Sequence, residues 1–404
     1  MSKKHYILVG RTSEAIASGI LGEFGQNPNL TITAPTNVIQ SRFGTFGDGE
    51  SIFELFVDGK LPDHPIEQNL SEAEKKEIEK DLKGAHITIV HSISGDNTSS
   101  RATSLLDGVY DLKDAYGVGS ITVIAPHLPF MRNDRRFRKV NSNGEEISQR
   151  NAISGRNYAR RLKQEGADTV VGFDPHSRDG VKHYRDYFTA ANSHFISIAD
   201  FVAANFARDH DVVDPSGDWM VACGSPDGLN KASDFGIARA KKVGISLYKG
   251  TAFDGVTMKN AVEDIPYMFG IAKERINDKE TRIIDFSGNV AGKTGLLVDD
   301  IYSSGGTTIQ GAQRLREEGA SACFAYATHG VLTGNAIEKL LNEPSIDSVM
   351  LTDSIPGAVE KLQRAGVMHV GSKFKVISLA EPVVAEINKD HAAYPKHVWP
   401  VKRL

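Results

Sequence analysis

Apolar residues along this chain fall into two alternating patterns. Short, nearly continuous apolar runs such as HYILVG, SITVIAP, DTVVGFD and TGLLVDD are bounded by Gly, Asp or polar residues. Longer stretches such as ATSLLDGVYDLKDAYG, SGRNYARRLKQEGA and TIQGAQRLREEGA lie between many of these runs and have the pattern of amphipathic helices. Continuous apolar strands that alternate with amphipathic helices are typical of parallel sheets covered on both faces. The pattern therefore predicts an α/β protein with doubly wound parallel sheets.

One helix, glycine and strand arrangement occurs twice. LKQEGADTVVGFD begins at Leu162, and LREEGASACFAYA begins at Leu315. A repeated unit of this kind predicts two similar α/β halves. We expect a first domain over residues 1–190, a second domain over residues 191–380 and a C-terminal tail over residues 381–404.

Two segments interrupt the alternation. In residues 59–84, Ser71 and Glu74 have the spacing of a capping box and precede a charged stretch, which predicts a surface helix. Residues 249–270 follow a predicted strand and have little periodicity, so they form either a lid or an elaborated loop.

Composition narrows the classes of partner. The 404 residues include 47 basic and 51 acidic side chains, with a formal net charge of −4 and no long block of one sign. Attraction to nucleic acid or to a membrane through net charge is therefore not expected, and we see no apolar run of membrane-spanning length. Cys223 and Cys323 are too few for a disulfide framework and lack the spacing of a zinc site. We expect a cytoplasmic protein.

The stretch LLVDDIYSSGGTTIQGAQRLREEGA, residues 296–320, combines a predicted strand, two acids, a Ser/Gly/Thr turn and a predicted helix. Ligands of open α/β sheets bind beyond the carboxyl ends of the strands, where the first turn of a helix offers free backbone N–H groups. Glycine lets the backbone approach an anion closely, and hydroxyl groups donate to it. The turn therefore predicts a phosphate site formed by Ser303, Ser304, Gly305, Gly306, Thr307 and Thr308.

Asp299 and Asp300 stand at the end of the predicted strand, just before this turn. Carboxylates would repel a phosphate, so their expected partners are sugar hydroxyls or a bound Mg²⁺. Together with the phosphate site they suggest a phosphorylated ribose as the ligand. The alternative is that the two acids only cap a turn.

The same stretch resembles the phosphoribosyl-diphosphate loop that phosphoribosyltransferases share with ribose-phosphate diphosphokinases. Further motifs resemble the diphosphokinases, and in chain order they are FGDGE, APHLPFMRNDRR, FDPHS, GSPDG, IAKERI, ATHGVLTG and LTDSIP. They extend from Phe46 to about Pro356, whereas phosphoribosyltransferases would share only the loop. The chain is therefore similar to a divergent diphosphokinase, and the resemblance implies two domains of phosphoribosyltransferase type.

The resemblance also implies an activity and the residues that carry it. The family transfers the β,γ-diphosphoryl group of ATP to the anomeric hydroxyl of ribose 5-phosphate and releases AMP, with Mg²⁺ as cofactor. The implied catalytic residues are Lys273, Arg275 and His176, the metal ligands are His176 and Asp227, and the ATP-binding residues are Phe46, Asp48, Glu50, Arg132, Asn133 and Asp134. Asp227 would also contact the ribose. In the family the FGDGE element reaches across a subunit interface, which implies a homo-oligomer, either a dimer or a hexamer.

Three departures from the family pattern leave alternatives open. Ser303 replaces the usual third acid of the loop, Asn133 replaces a Gln, and residues 249–270 lengthen the region before IAKERI. A widened mouth with one carboxylate fewer would admit a larger ribose phosphate ester such as ADP-ribose. The loss of the third acid also permits a regulatory homologue without catalysis, although the retained Lys273 and His176 argue against it.

Overall fold

The computed structural model contains two compact units, each described here by itself. The first unit extends to Ile196 and resumes at Leu379, and the second runs from Ser197 to Ser378. The structure describes residues 5–10, 12–24, 38–45, 51–56, 76, 79–80, 82–93, 98–136, 138–140, 146–148, 152–198, 201–202, 219–223, 268–275, 281–287 and 289–390.

The first unit is built on a seven-stranded sheet with the order β3-β2-β1-β4-β5-β8-β9. Its strands are β1 (His5–Val9), β2 (Val38–Thr45), β3 (Ser51–Phe56), β4 (His86–Val90), β5 (Ser120–Ala125), β8 (Thr169–Phe173) and β9 (Ser193–Ile196). All neighbours are parallel except the β2/β3 pair. A separate hairpin is formed by β6 (Arg138–Val140) and β7 (Glu146–Ser148). The helices of this part of the chain are α1 (Glu14–Phe24), α2 (Thr98–Asp114), α3 (Ser154–Gln164) and α4 (Arg178–Phe188).

The second unit repeats this topology. Its sheet has the order β12-β11-β10-β13-β14-β15-β16, and only the β11/β12 pair is antiparallel. The strands are β10 (Trp219–Cys223), β11 (Met268–Arg275), β12 (Thr281–Ser287), β13 (Thr294–Tyr302), β14 (Ala322–Gly330), β15 (Ser348–Thr352) and β16 (Phe374–Ile377). The helices are α5 (Gly306–Glu317), α6 (Ala336–Asn342) and α7 (Pro356–Arg364). The predicted pair of doubly wound parallel sheets is therefore confirmed.

One polar anchor occurs at equivalent places in the two units. In the first unit, Asp168 lies just before β8, and its Oδ2 accepts hydrogen bonds from the backbone N–H of Ile121 and from Lys113 Nζ, both at 2.9 Å. In the second unit, Asp347 lies just before β15, and its Oδ2 accepts from the N–H of Cys323 and from Arg316, both at 2.6 Å. Each carboxylate thus ties the end of a helix to the start of two strands, which supports an internal repeat in three dimensions.

The last described helix, α8 (Ala380–Asp390), belongs to the first unit. It packs against α1, and a side chain at Gly19 would put a Cβ 2.7 Å from the Cβ of Ala380, so the contact requires glycine. The expected division therefore differs from the structure in two places. Strand β9 lies beyond residue 190 but completes the first sheet, and part of the expected tail over 381–404 is a helix of that unit.

Two further sequence expectations concern residues that the structure describes only in small part. Of the expected surface helix over 59–84, residues 76, 79 and 80 are helical, and the rest of the charged stretch before Leu82 lies outside the described residues. The segment 249–270 also lies outside them, apart from Met268 to Gly270 at the start of β11. Among the helices described, none is long and apolar enough to cross a membrane.

Candidate functional site

The turn between β13 and α5 has the backbone of an anion site. Gly305 is the N-cap residue of α5, with φ of 77° and ψ of −10°, a left-handed conformation that glycine adopts without steric cost. A Cβ at this position would lie 3.1 Å from Leu340 Cγ, so the turn also packs tightly on α6. Gly305 has no side chain that could cap the helix. Its first N–H groups and the positive end of its dipole therefore remain available to a ligand.

Gly306, the first residue of α5, has a different role from Gly305. A Cβ built on Gly306 would meet only Ser304 Oγ, at 3.9 Å, among the residues that the structure describes. The fold itself therefore does not require glycine here. Because Gly306 has a hydrogen in place of a side chain, the space above the end of the helix stays open. An anion can therefore approach the backbone closely.

The hydroxyl groups around this turn point in different directions. Ser304 is exposed, and its Oγ lies 3.9 Å from the position of a Cβ at Gly306, whereas Ser303 and Thr307 are half-buried. Thr308 is buried, and its side chain forms a hydrogen bond with Tyr302. Burial and the charge of Asp299 raise the pKa of Tyr302 well above its ordinary value, and the bond with Thr308 opposes this shift. In this structure Thr308 thus faces the core, unlike the other predicted phosphate donors.

Asp299 and Asp300 lie inside β13, which continues to Tyr302. The sequence interpretation ended the strand at these acids. Pairing with β14 continues through Tyr302, which is aligned with Gly330, and this extends the strand. Asp299 is half-buried and its Oδ1 accepts the N–H of Asp300 at 2.9 Å, while the Asp300 side chain is buried. The two carboxylates therefore lie on the last four residues of a strand directly before the N-terminus of α5.

Buried polar groups support this edge of the second sheet. The backbone oxygen of Thr328, near the end of β14, accepts hydrogen bonds from Thr352 Oγ1 at 2.5 Å and from Ser354 Oγ at 3.0 Å. His329 Nδ1 lies 2.9 Å from Ser354 Oγ. Hydrogen-bonded groups in a low-dielectric interior are held firmly. The strand ends next to Asp299 and Asp300 are therefore a rigid base for a ligand site.

In the first unit, two of the predicted nucleotide-binding segments lie side by side. Arg132, Asn133 and Asp134 follow β5, and His176 follows β8, the next strand in the sheet. Ser177 Oγ donates to Asp134 Oδ2 and also accepts the N–H of Gly180 as the N-cap of α4. This hydrogen bond holds the Arg132 loop against the residue that follows His176.

Side chains within the Arg132 loop differ in exposure. Arg132 is exposed. Asn133 Nδ2 donates to Ser154 Oγ at 3.1 Å, at the start of α3. Asp134 is 5% exposed, and its backbone oxygen also lies 2.5 Å from His183 Nε2. Asp134 therefore presents little surface to a ligand in this structure.

Three bulky or polar residues near these segments have strained backbones. Phe130, Asp174 and Leu332 have φ values of 59°, 39° and 49°, and they follow β5, β8 and β14. A residue other than glycine in the left-handed region costs about 1–2 kcal/mol. Such strain is concentrated at functional sites. Here it occurs two residues before Arg132, two residues before His176 and beside the turn at Ser303.

Several predicted site residues lie outside the residues that the structure describes, or are described only by their backbone. Phe46, Asp48, Glu50 and Asp227 are outside the described residues. The backbones of Lys273 and Arg275 lie on β11, where Lys273 is aligned with Ile283 and Arg275 with Thr281 of β12. The pairing register shifts between Ala272 and Lys273, so an irregularity in the strand immediately precedes the proposed catalytic lysine.

The donor set is compatible with a metal that arrives with its substrate. Within the described part of the chain, no group of three or more His, Cys, Asp or Glu side chains is arranged to hold a metal ion. Mg²⁺ in nucleotide sites commonly keeps water ligands and binds through substrate phosphates and one or two protein groups. His176, the predicted metal ligand that the structure describes, is half-buried beside the Arg132 loop.

Comparison with solved structures defines the class of fold. The chain superposes on the phosphoribosylpyrophosphate synthetase of Mycobacterium smegmatis with a TM-score of 0.65, at 19% sequence identity, and the match covers 97% of this chain and 100% of that one. Together with the repeated sheet order, this identifies two domains with the phosphoribosyltransferase type of fold.

Sequence similarity relates the chain to proteins of one kind. Residues 253–392 match the phosphoribosyl synthetase-associated domain. The ribose-phosphate pyrophosphokinase of Aquifex aeolicus is 25% identical over 342 residues, which are 83% of this chain and 86% of the relative. A putative ribose-phosphate pyrophosphokinase 2 of Listeria monocytogenes is 29% identical over 292 residues, 71% of this chain and 78% of the relative. The chain is therefore similar to ribose-phosphate pyrophosphokinases over most of its length.

One residue next to the site was not singled out from the sequence. Thr333 was noted only as part of the ATHGVLTG motif, but the structure places its hydroxyl 3.2 Å from that of Ser303. The sequence did contain a signal for this contact. Ser303 and Thr333 each follow a predicted strand, and the carboxyl ends of neighbouring parallel strands meet at one edge of a sheet. Whether β13 and β14 were neighbours could not be read from the pattern alone.

Proposed function

We propose that this chain is an ATP-dependent diphosphokinase whose acceptor is ribose 5-phosphate. The anomeric oxygen of the acceptor attacks the β-phosphorus of ATP and forms a new P–O bond. The bond between the β-phosphorus and the oxygen bridging to the α-phosphate breaks, and AMP leaves with that oxygen. The proton of the anomeric hydroxyl is lost to the solvent or to a base, and the products are phosphoribosyl diphosphate and AMP.

The arrangement at the end of β13 carries this proposal. A helix N-terminus that begins after Gly305, an open space at Gly306 and the incompletely buried hydroxyl groups of Ser303, Ser304 and Thr307 fit a phosphate dianion. Asp299 and Asp300 precede this site by a few residues and would repel a second anion, but carboxylates accept hydrogen bonds from sugar hydroxyls. A ribose with one terminal phosphate satisfies both requirements.

The residues of the first unit support a nucleotide polyphosphate as the donor. We assign Arg132 to the nucleotide phosphates, because its guanidinium is exposed on a loop that Asp134 and Ser177 hold beside His176. Asn133 and Asp134 support this loop from within. Phe46, Asp48 and Glu50 are assigned to the adenine by their resemblance to the FSDGE element of the family. That assignment makes a homo-oligomer part of the proposal.

Transfer at phosphorus requires positioning and charge neutralisation more than covalent catalysis. We assign the neutralising cations to Lys273 and Arg275 on β11. His176 and Asp227 would hold Mg²⁺, which would supply further positive charge to the triphosphate when bound. The chain's own groups then bind and orient the two substrates.

Product analysis tests the proposal. The purified protein is incubated with ATP, Mg²⁺ and ribose 5-phosphate, and the nucleotide products are separated while ³¹P spectra identify the sugar product. We expect AMP and a sugar diphosphate in equal amounts. ADP as the product would identify a simple kinase and overturn the proposal, as would the absence of acceptor-dependent AMP release.

The same assay with ADP-ribose in place of ribose 5-phosphate tests the acceptor. We expect ribose 5-phosphate to be consumed faster, because the helix end at Gly306 fits a terminal phosphate dianion. Faster consumption of ADP-ribose would reassign the acceptor while leaving the diphosphoryl transfer intact.

A further inference from the structure

The loop after β14 lies against the turn that opens the acceptor site. The N–H groups of Val331 and Leu332 donate to the backbone oxygen of Tyr302, at 2.9 and 3.0 Å, and the N–H of Thr333 donates to the backbone oxygen of Ser303 at 2.9 Å. Three hydrogen bonds therefore fix the distance between this loop and the first residues of the turn. Because β13 and β14 are paired up to Tyr302 and Gly330, the contact continues the sheet beyond its regular end.

The backbone conformation of this loop brings Thr333 to the open side of the turn. Leu332 has a φ of 49° while its side chain is buried, and Gly334 has a φ of 58°. A leucine in the left-handed region is strained by about 1–2 kcal/mol. This strained bend leaves Leu332 in the core and Thr333 exposed, with Thr333 Oγ1 3.2 Å from Ser303 Oγ. The core of the second unit therefore holds the two hydroxyl groups together.

Each of the two hydroxyl groups has a single proton to donate, and this gives the two groups different roles. A phosphate dianion only accepts hydrogen bonds, so a serine hydroxyl binds it by donating its single proton. That proton is available to a ligand only when Ser303 does not donate it to Thr333. If Thr333 donates to Ser303 Oγ, the proton of Ser303 is directed outward, and hydrogen bonds in such a chain strengthen one another.

We propose that Thr333 is a positioning residue of the acceptor site, which donates to Ser303 and thereby directs the Ser303 hydroxyl towards the bound ribose phosphate. This inference rests on the proposed function, because it takes a ribose phosphate as the ligand of the turn. Thr333 itself does not contact the acceptor. Its effect on acceptor binding passes entirely through Ser303.

Steady-state kinetics of four variants test this role. T333V removes the hydroxyl and keeps the branched shape, whereas T333S keeps the hydroxyl. S303A removes the group through which Thr333 acts, and the double variant S303A/T333V completes the cycle. T103V is the matched control, because Thr103 lies on α2 of the first unit and its hydroxyl donates at 3.0 Å to the backbone oxygen of Ser99.

We expect the KM for ribose 5-phosphate to change and the KM for ATP to stay the same. T333V should raise the KM for ribose 5-phosphate roughly fivefold, the order of one neutral hydrogen bond, because Ser303 keeps its proton but loses the group that orients it. The KM for ATP should stay within about twofold of wild type, as should both constants in T333S and T103V. The double variant should match S303A within about twofold, because Thr333 has no effect once Ser303 is absent.

Two outcomes would overturn the inference. In the first, T333V has the kinetic constants of wild type. In the second, T333V raises the KM for ribose 5-phosphate and the KM for ATP equally, or its full effect adds to that of S303A in the double variant. Either result indicates a role of Thr333 apart from Ser303. Wild-type turnover is measured in the same experiment, so a failure of the proposed function is recognised separately by the absence of AMP from the wild-type protein.

Discussion

Replacing Gly306 with alanine separates binding from folding at the acceptor site. The fold has room for the new methyl group, since Ser304 Oγ at 3.9 Å is its nearest described neighbour, and Gly306 does not have a positive φ. Alanine is a better helix former than glycine by up to about 1 kcal/mol, and the gain is smaller in a first turn. We therefore expect the free energy of unfolding of G306A to be unchanged or slightly higher.

The same methyl group would occupy the space above the helix end. A phosphate oxygen there would have to lie about 3 Å from a backbone nitrogen, which the methyl group prevents. Loss of one hydrogen bond to a charged group costs about 1.5–3 kcal/mol, or about 10- to 100-fold in affinity. The KM for ribose 5-phosphate should rise by this factor, and the KM for ATP should change much less.

Denaturant unfolding and steady-state kinetics of two alanine variants provide the assay. G305A is the matched control for stability: with φ of 77° and Leu340 Cγ 3.1 Å from the new Cβ, it should lose at least about 1–2 kcal/mol. If G306A is as stable as wild type and also keeps the wild-type KM for ribose 5-phosphate, the phosphate does not bind over α5, and the reasoning is refuted. A loss of stability in G306A equal to that in G305A would refute the description of the open space.

Three further predictions concern catalysis and stability. K273A should lower kcat by about 100-fold or more with little change in nucleotide affinity, because a transition-state cation is lost, whereas K339A, at an exposed lysine on α6, should have wild-type kinetics. D347A should reduce the free energy of unfolding by about 1–3 kcal/mol in urea titrations, because the buried N–H of Cys323 loses its acceptor, and D347N, which keeps an oxygen, should lose less. D111N should stabilise the protein at neutral pH by about 0.3–1 kcal/mol, because burial and the charge of Asp114 disfavour the ionised Asp111 side chain and the nearby negative end of the α2 dipole adds to this.

The pH dependence of the last prediction follows from the pKa of Asp111. Burial and then the charge of Asp114 raise this pKa above its ordinary value of 3.8. The folded state binds the proton more tightly than the unfolded state, so Asp111 destabilises the fold at neutral pH and the penalty disappears as the pH falls towards 3.8. The advantage of D111N should shrink over the same range, and an advantage independent of pH would contradict this account.

Contrary results for the other two predictions are equally definite. Wild-type turnover in K273A would remove Lys273 from the catalytic residues. Equal stability of D347A and wild type would show that the hydrogen bond to Cys323 contributes nothing. An equal loss in D347A and D347N would instead assign the whole effect to the ion pair with Arg316.

The order of residues along the chain was sufficient to predict the local elements and the chemistry next to them. Apolar runs and helical periodicity are properties of neighbouring residues, and they were sufficient to predict two doubly wound sheets. The two acids before a Ser/Gly/Thr turn are also contiguous, so a site for a phosphorylated ribose could be proposed from Asp299 to Thr308. Ordered motifs such as IAKERI then distinguished the diphosphokinases from the transferases that share the loop.

Only the folded structure shows which of these groups are held by other parts of the protein. Thr308 bonds to Tyr302 and faces the core, Asp134 is held by Ser177, and Thr333 lies beside Ser303. The last two contacts join residues 43 and 30 positions apart. The order of strands in the sheet sets such distances, and that order depends on which apolar faces pack together over the whole unit. The hydrophobic pattern along the chain shows which faces of the helices and strands are apolar, but not which of these faces pack together. These orientations could therefore be obtained only from the folded protein.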